Sequence, residues 1–200
     1  TFNAAAATVT VKGLSIHPGA AKNKLINASQ VAMEFHAMLP VHERPESTEG
    51  YEGFCMLRDI TSNIEEATMH YIIRDHDDEK FEEKKDRFYQ IAVYLDSIYG
   101  DGTVEVEMKD SYYNMRRQIE PVMYVVDRAR AAMERLGITP YSVPVRGGTD
   151  GAKLSYMGLP CPNLCTGGMN FHGRYEYAVV EEMESCAKIL VEILTAPELG

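Results

Sequence analysis

The run FCMLRDITSNIEEATMHYIIRD, residues 54–75, decides how the first half of the chain is built. It holds two strand-like stretches, FCMLRDIT (54–61) and ATMHYIIRD (67–75), on either side of a short polar connection. Two strands so close in sequence pair as a hairpin, and their flanks then set the fold. Upstream, residues 2–12 alternate apolar with small or polar side chains, as a half-buried strand does. After the turn-rich GLSIHPGAAKN (13–23), Asn27 and Gln30 resemble a capping box. The helix they open places Val31, Phe35, Met38 and Leu39 on one face and stops at Pro40. Downstream, residues 75–100 read as a long helix turning Phe81, Phe88, Ile91, Ala92, Leu95 and Ile98 inward. GTVEVEMKDSYY (102–113) is again a strand. The order β-α-β-β-α-β over 1–113 is the ferredoxin-like pattern, an α+β domain with helices on one face of an antiparallel sheet. Its open face or edge would suit dimerisation.

After Asn114 the pattern becomes α/β. Glu120-Pro121 opens a helix striped with Val122, Val125, Val126, Ala129, Ala132, Met133 and Leu136 and ended by Gly137. YSVPVRGG (141–148) reads as a strand, and TDGAKLSYMG (149–158) as a helix entered through Thr149 and Asp150. LPCPNLCTGG (159–168) reads as a buried strand. A last helix, about 176–194, is expected to bury Val179, Val180, Met183, Ala187, Leu190 and Leu194. Residues 114–200 thus look like part of a layered α/β domain with too few strands to make a covered sheet.

The 200 residues are 45% hydrophobic and 25% charged, ordinary for a globular chain, and no run approaches the ~20 apolar residues of a membrane span. A net charge of −10 without a Lys/Arg-rich block argues against nucleic acid. The start, TFNAAAATVTVKG, lacks the positive region of a signal peptide. Cys55, Cys161, Cys165 and Cys186 have neither redox nor zinc-ribbon spacing and read as free thiols, so a cytoplasmic protein is expected.

Chemistry concentrates in a few places. In CTGGMNFHGRYE (165–176), His172 sits among glycines that let backbone approach an ion, in a loop after a strand, where open α/β sheets build sites. A catalytic zinc nevertheless needs at least three protein ligands. RDHDDE (74–79) is most simply a helix start, and Glu65-Glu66 and Glu181-Glu182 are solvated charges, so the partners of His172 are not found in this chain. RGGTDG (146–151) is either an anion-binding turn or a tight strand-to-helix connection. His17, in SIHPG, is a loop histidine open to substrate or to water. Arg74 ends a strand, as a carboxylate clamp would, or pairs with Asp75 or Asp77.

Together these stretches resemble the C-terminal half of the peptidase T family, tripeptide aminopeptidases among the two-zinc amidohydrolases related to glutamate carboxypeptidase. TVTVKGLSIHPGAAKNKLINA, HYIIRDHD, KDSYYNM, RGGTDGAKLSYMGLPCPNLCTGG and NFHGRYE carry the resemblance from residue 1 to about 195. It implies a dimerising ferredoxin-like lid at 1–113 and the returning part of an α/β catalytic domain at 114–200. By the same resemblance, His172 is a ligand of one of two zinc ions. His17 reaches the neighbouring subunit's active site to steady an oxyanion, and Arg74 binds the carboxylate of a tripeptide. Asn63 is implied to contact substrate, and Arg146 and Gly148 to line the pocket. The family's other zinc ligands and its general-base glutamate lie upstream of the lid, and their motifs do not occur here. The chain alone is therefore expected to be inactive. The alternative is a non-catalytic ferredoxin-like module for dimerisation or ligand sensing.

Overall fold

Strand β1 (Asn3–Lys12) buries Ala5, Ala7, Val9 and Val11 on one face. With β2 (Phe54–Ser62), β3 (Glu66–Asp75) and β4 (Val104–Tyr112) it forms an antiparallel sheet in the order β2-β3-β1-β4. Register explains the sidedness. Ala5, Ala7, Val9 and Val11 stand opposite Ile73, Tyr71, Met69 and Ala67, so one face of the central pair is wholly apolar. Thr8, Thr10 and Lys12 face His70, Thr68 and Glu66 on the other. Helices α1 (Ala28–Met38) and α2 (Asp78–Tyr99) pack on the apolar face and complete the ferredoxin-like layer. The computed structural model describes residues 1–196.

The helix ends follow from their caps. Asn27 accepts from the Ser29 amide at 3.1 Å, and Asp77 accepts from that of Lys80 at 3.0 Å, each satisfying a free N–H of the first turn. Val31, Phe35 and Leu39 are buried as expected, whereas Met38 and Ile98, both expected inward, turn to solvent. At the centre Tyr71 meets Phe88 edge-on, ring centroids 5.1 Å apart, and Phe35 lies 5.7 Å from Phe88. α2 also buries Lys84, whose ammonium sits 2.9 Å from the Asp75 carboxylate and 3.6 Å from Glu43. Pairing makes that buried charge tolerable, and removing one partner would strand the other.

The chain divides into two compact units, Thr1–Asn114 together with Pro144–Gly148, and Met115–Val143 with the residues from Thr149 on. Of the range 114–200, the last four residues lie outside those described. The second unit contains α3 (Arg116–Ile119), α4 (Tyr124–Arg135), α5 (Asp150–Tyr156), β5 (Gly168–Met169), β6 (Tyr177–Ala178) and α6 (Val180–Thr195). Here several expectations fail. Residues 141–148 form no strand, and Pro144–Gly148 goes with the first unit. Of 159–168 only Gly168 is in a strand, in the two-residue β5 that pairs with β6. A strand persists only where a neighbour completes its hydrogen-bond ladder, and among the described residues these runs have none. α4 starts at Tyr124, after a short 3-10 turn at Glu120–Val122, and its chain turns at Gly137 with φ +73°. α6 forms, yet Leu194 is 80% exposed and Val180, Met183 and Leu190 are also open; Ile189 is its buried residue. The apolar cluster of this unit is small: Met115, Ile119 and Ala152, with Val126 against them.

Candidate functional site

One end of the first unit is built by a glycine. Gly13 follows β1, and a Cβ there would lie 2.1 Å from the Ile64 carbonyl oxygen. The missing side chain lets the loop after β1 lock onto the β2–β3 hairpin. Gly13 N donates to Glu65 O at 2.7 Å, and Ala28 N to Ile64 O at 2.9 Å. In that hairpin, Asn63 Oδ1 accepts from the amides of Glu65 (2.7 Å) and Glu66 (3.1 Å), which leaves its NH2 as the donor this exposed side chain offers. In the loop, His17 Nδ1 accepts from the Gly19 amide at 3.1 Å. The neutral ring therefore carries its proton on Nε2, a donor on an exposed side chain. His17 and Asn63 thus belong to two segments tied to one another.

The other end gathers Arg74, Arg146 and Gly148. Arg74 Nη1 donates to the carbonyls of Ala5 (3.0 Å) and Ile73 (2.8 Å), and its guanidinium carbon lies 5.5 Å from the centre of the Tyr112 ring. The acid beside it is occupied: Asp75 takes Lys84 and the Asp77 amide. RDHDDE is thus a helix start with a buried ion pair. The Arg146 guanidinium carbon lies over the rings of Phe2 and Phe54, 5.3 and 5.7 Å from their centroids. Its terminal nitrogens donate to Gly50 O (3.1 Å), Glu52 O (2.7 Å) and Thr48 Oγ1 (2.7 Å). Its guanidinium is spent on holding the 48–52 loop. Gly148 lies so close to Tyr112 that a Cβ would come within 2.6 Å of the ring. Tyr112 joins Arg74 to Gly148, and sequence reasoning missed it, because strand alternation alone places it on the helix side.

The two ends are far apart. From Glu66 to Arg74 runs nearly all of β3, about 27 Å at ~3.4 Å per residue.

His172 belongs to the second unit, in the exposed loop between β5 and β6. Its φ is +61°, and that of Asn170 is +56°, so two side-chain-bearing residues hold the left-handed region within three positions. The bend is fastened by Gly173 N to Asn170 O (2.9 Å), Asn170 Nδ2 to Tyr175 O (3.2 Å) and His172 N to Glu176 Oε2 (3.1 Å). Glu176, the nearest acid in sequence, therefore serves the loop backbone. Among the described residues no group of three or more His, Cys, Asp or Glu side chains gathers to hold a metal. His172 is one donor, not a site.

The family of peptidase dimerisation domains, M20_dimer, matches residues 1–100. The chain belongs to this family. The M20 assignment is sharpened by curated relatives. Peptidase T of Alkaliphilus oremlandii is 52% identical over 193 residues, 96% of this chain and 47% of that protein. The crystal structure of aminopeptidase PepT from Bacillus cereus has a TM-score of 0.76 at 22% identity, covering 96% of this chain and 51% of its own. A dinuclear metal-binding M20 peptidase of Bacillus subtilis shares the fold, with a TM-score of 0.62 at 16% identity, over 96% of this chain and 49% of its own. The M20 chain described here spans about half the length of these relatives. No described helix is long and apolar enough to cross a membrane.

Proposed function

We propose that the whole protein is a zinc-dependent aminopeptidase that removes the N-terminal residue from tripeptides, and that it works as a homodimer through its lid. In this reading 1–113 is the lid and 114–200 is the C-terminal portion of the catalytic domain. The observation that carries it is the separation of the two polar sets on the lid. An extended tripeptide is about 10 Å long, much shorter than the ~27 Å of strand that separates Asn63 from Arg74. One copy cannot bring both ends to one substrate, whereas a two-fold pair can offer one end from each copy.

Each group then has a task its geometry suits. Arg74 binds the substrate carboxylate through the donors its backbone contacts leave over. His17, reaching into the partner's site, donates Nε2–H to the oxyanion that forms at the scissile carbonyl. The Asn63 NH2 binds a substrate carbonyl. Arg146 keeps the pocket wall in place through the 48–52 loop, and Gly148 lets backbone close on the substrate side. His172 supplies one ligand to one of two zinc ions. Such ions, when bound, polarise the carbonyl and acidify water. One imidazole does not make that site, so the other ligands and the general base come from outside these residues, and the chain alone is inactive. The rest of the whole protein also covers the open stripes of α6. The few, irregularly spaced cysteines support a cytoplasmic location, and the net charge of −10 without a Lys/Arg-rich block argues against nucleic acid as a partner.

The test is a mixed dimer. Full-length His17→Ala and His172→Ala chains are each expected to be inactive. Mixed at random, they should recover about a quarter of wild-type activity, because half the dimers then hold one intact site. No recovery, with exchange of chains verified, would place His17 in its own chain's site and remove the reason for the dimer.

A further inference from the structure

The register of β4 contains a step that alternation does not predict. Ala5 of β1 stands opposite Asp110, whereas its neighbour Ala4 stands opposite Tyr112, so Ser111 is an extra residue in the ladder. Asp110 faces the helices, since Lys85 of α2 donates to it at 3.1 Å. Two residues on, an unbroken strand would place Tyr112 on that same face. The bulge turns it onto the open face instead. There Ala4 has Arg74 beside it on β3 and Tyr112 beside it on β4. Arg74 and Tyr112 are two strand spacings apart, about 10 Å, and the small side chain of Ala4 between them leaves the arginine room to reach the ring.

What meets over Ala4 is a constrained guanidinium. Nη1 commits its two protons to the Ala5 and Ile73 carbonyls. The guanidinium carbon lies over the face of the Tyr112 ring, 5.5 Å from its centroid. A Cβ on Gly148 would come 2.6 Å from the Cζ, 2.8 Å from the Cε1 and 2.9 Å from the hydroxyl of that ring, so the tyrosine is seated against bare backbone. Three contacts thus fix the plane of the guanidinium and leave its Nε–Nη2 edge, two parallel donors, for a carboxylate.

We propose that Tyr112 is a positioning residue: turned by the Ser111 bulge and seated on Gly148, it holds Arg74 in the orientation that clamps the C-terminal carboxylate of the substrate. The proposal rests on Arg74 being the carboxylate clamp, and the test separates the two. In the full-length, metal-loaded protein, KM and kcat are measured for a tripeptide and for its C-terminal amide. Arg74→Ala should raise KM for the tripeptide and leave the amide unaffected. Tyr112→Leu should do the same more weakly, roughly three- to tenfold, while Tyr112→Phe keeps the aromatic face and stays within about twofold. Added to Arg74→Ala, Tyr112→Leu should change KM no further, because a positioning residue acts through its partner. Gly148→Ala, which pushes the ring from the other side, carries the same test should Tyr112→Leu not fold, and is likewise expected to raise KM for the tripeptide over the amide. An unchanged KM in Tyr112→Leu, with Arg74→Ala raising it, overturns the role of Tyr112 alone. So does an equal rise for tripeptide and amide. An unchanged KM in Arg74→Ala overturns the carboxylate clamp itself, and the positioning role with it.

Discussion

The two units of this chain treat similar apolar stripes differently. In the first, α1 and α2 lay theirs on the apolar face of a four-stranded sheet, and Phe35, Tyr71 and Phe88 vanish from solvent. In the second, α6 carries a comparable stripe, yet Leu194 is 80% exposed and Val180 is 63% exposed. The difference lies in the partner surface, not in the helices. A helix gains most of its stability from what its apolar face is packed against. The first unit encodes both layers, whereas the second unit has two-residue strands and little to pack on. This contrast locates where the chain is self-sufficient.

The sharpest attack on that contrast is at the centre of the first unit. Phe88→Ala should cost about 3–5 kcal/mol and unfold that unit, seen as loss of amide protection along β1 and β3. Survival of that protection would mean the core is less unified than its aromatic contacts imply. Next comes the joint beneath His17 and Asn63. Gly13→Ala sets a Cβ against the Ile64 carbonyl, and a loss of about 1–3 kcal/mol is expected, read by denaturant titration. An unchanged midpoint would show that the loop can slide off the hairpin.

A smaller, pH-dependent effect belongs to His36. Arg44 Nη2 lies 3.3 Å from its Nε2, and the Tyr71 hydroxyl 3.1 Å from its Nδ1. Burial, and then the Arg44 charge, hold the imidazole below its usual pKa. The folded first unit therefore disfavours the added proton. Its contribution is complete above the unfolded histidine range, near ~6.5, and is lost as pH falls through the folded value. Melting temperature should drop between pH 7 and pH 5, with a shallower drop in His36→Gln; equal slopes would remove His36 as the cause. Smallest of all, Leu194→Ser should shift the stability of this chain by no more than ~0.5 kcal/mol. A large loss would show that α6 is already covered.

Much of the first unit was legible from sequence. Period-two alternation in residues 2–12 and the back-to-back runs at 54–75 read correctly as strands, and Asn27 and the acidic run at 74–79 read as helix starts. The runs at 141–148 and 159–168 have strand-like composition but no strand structure before Gly168, because composition reports a preference and the ladder needs a neighbour. The polar residues divide the same way. His17, Asn63 and His172 lie in exposed loops as expected, but Arg146 turned out to be spent on three acceptors of the 48–52 loop, which no local pattern announces.

By itself the sequence determined the βαββαβ order, the sidedness of the four-stranded sheet and the loops that carry the polar groups. These follow from short-range rules: alternation along a strand, 3.6-residue periodicity and cap chemistry. Only the tertiary structure decided that Tyr112 faces Arg74 and that Gly148 seats its ring. It alone set the length of β3 between Asn63 and Arg74 as the distance between two polar ends. A bulge, a close approach and a separation are relations between distant segments, and each exists only once the partner strand is in place.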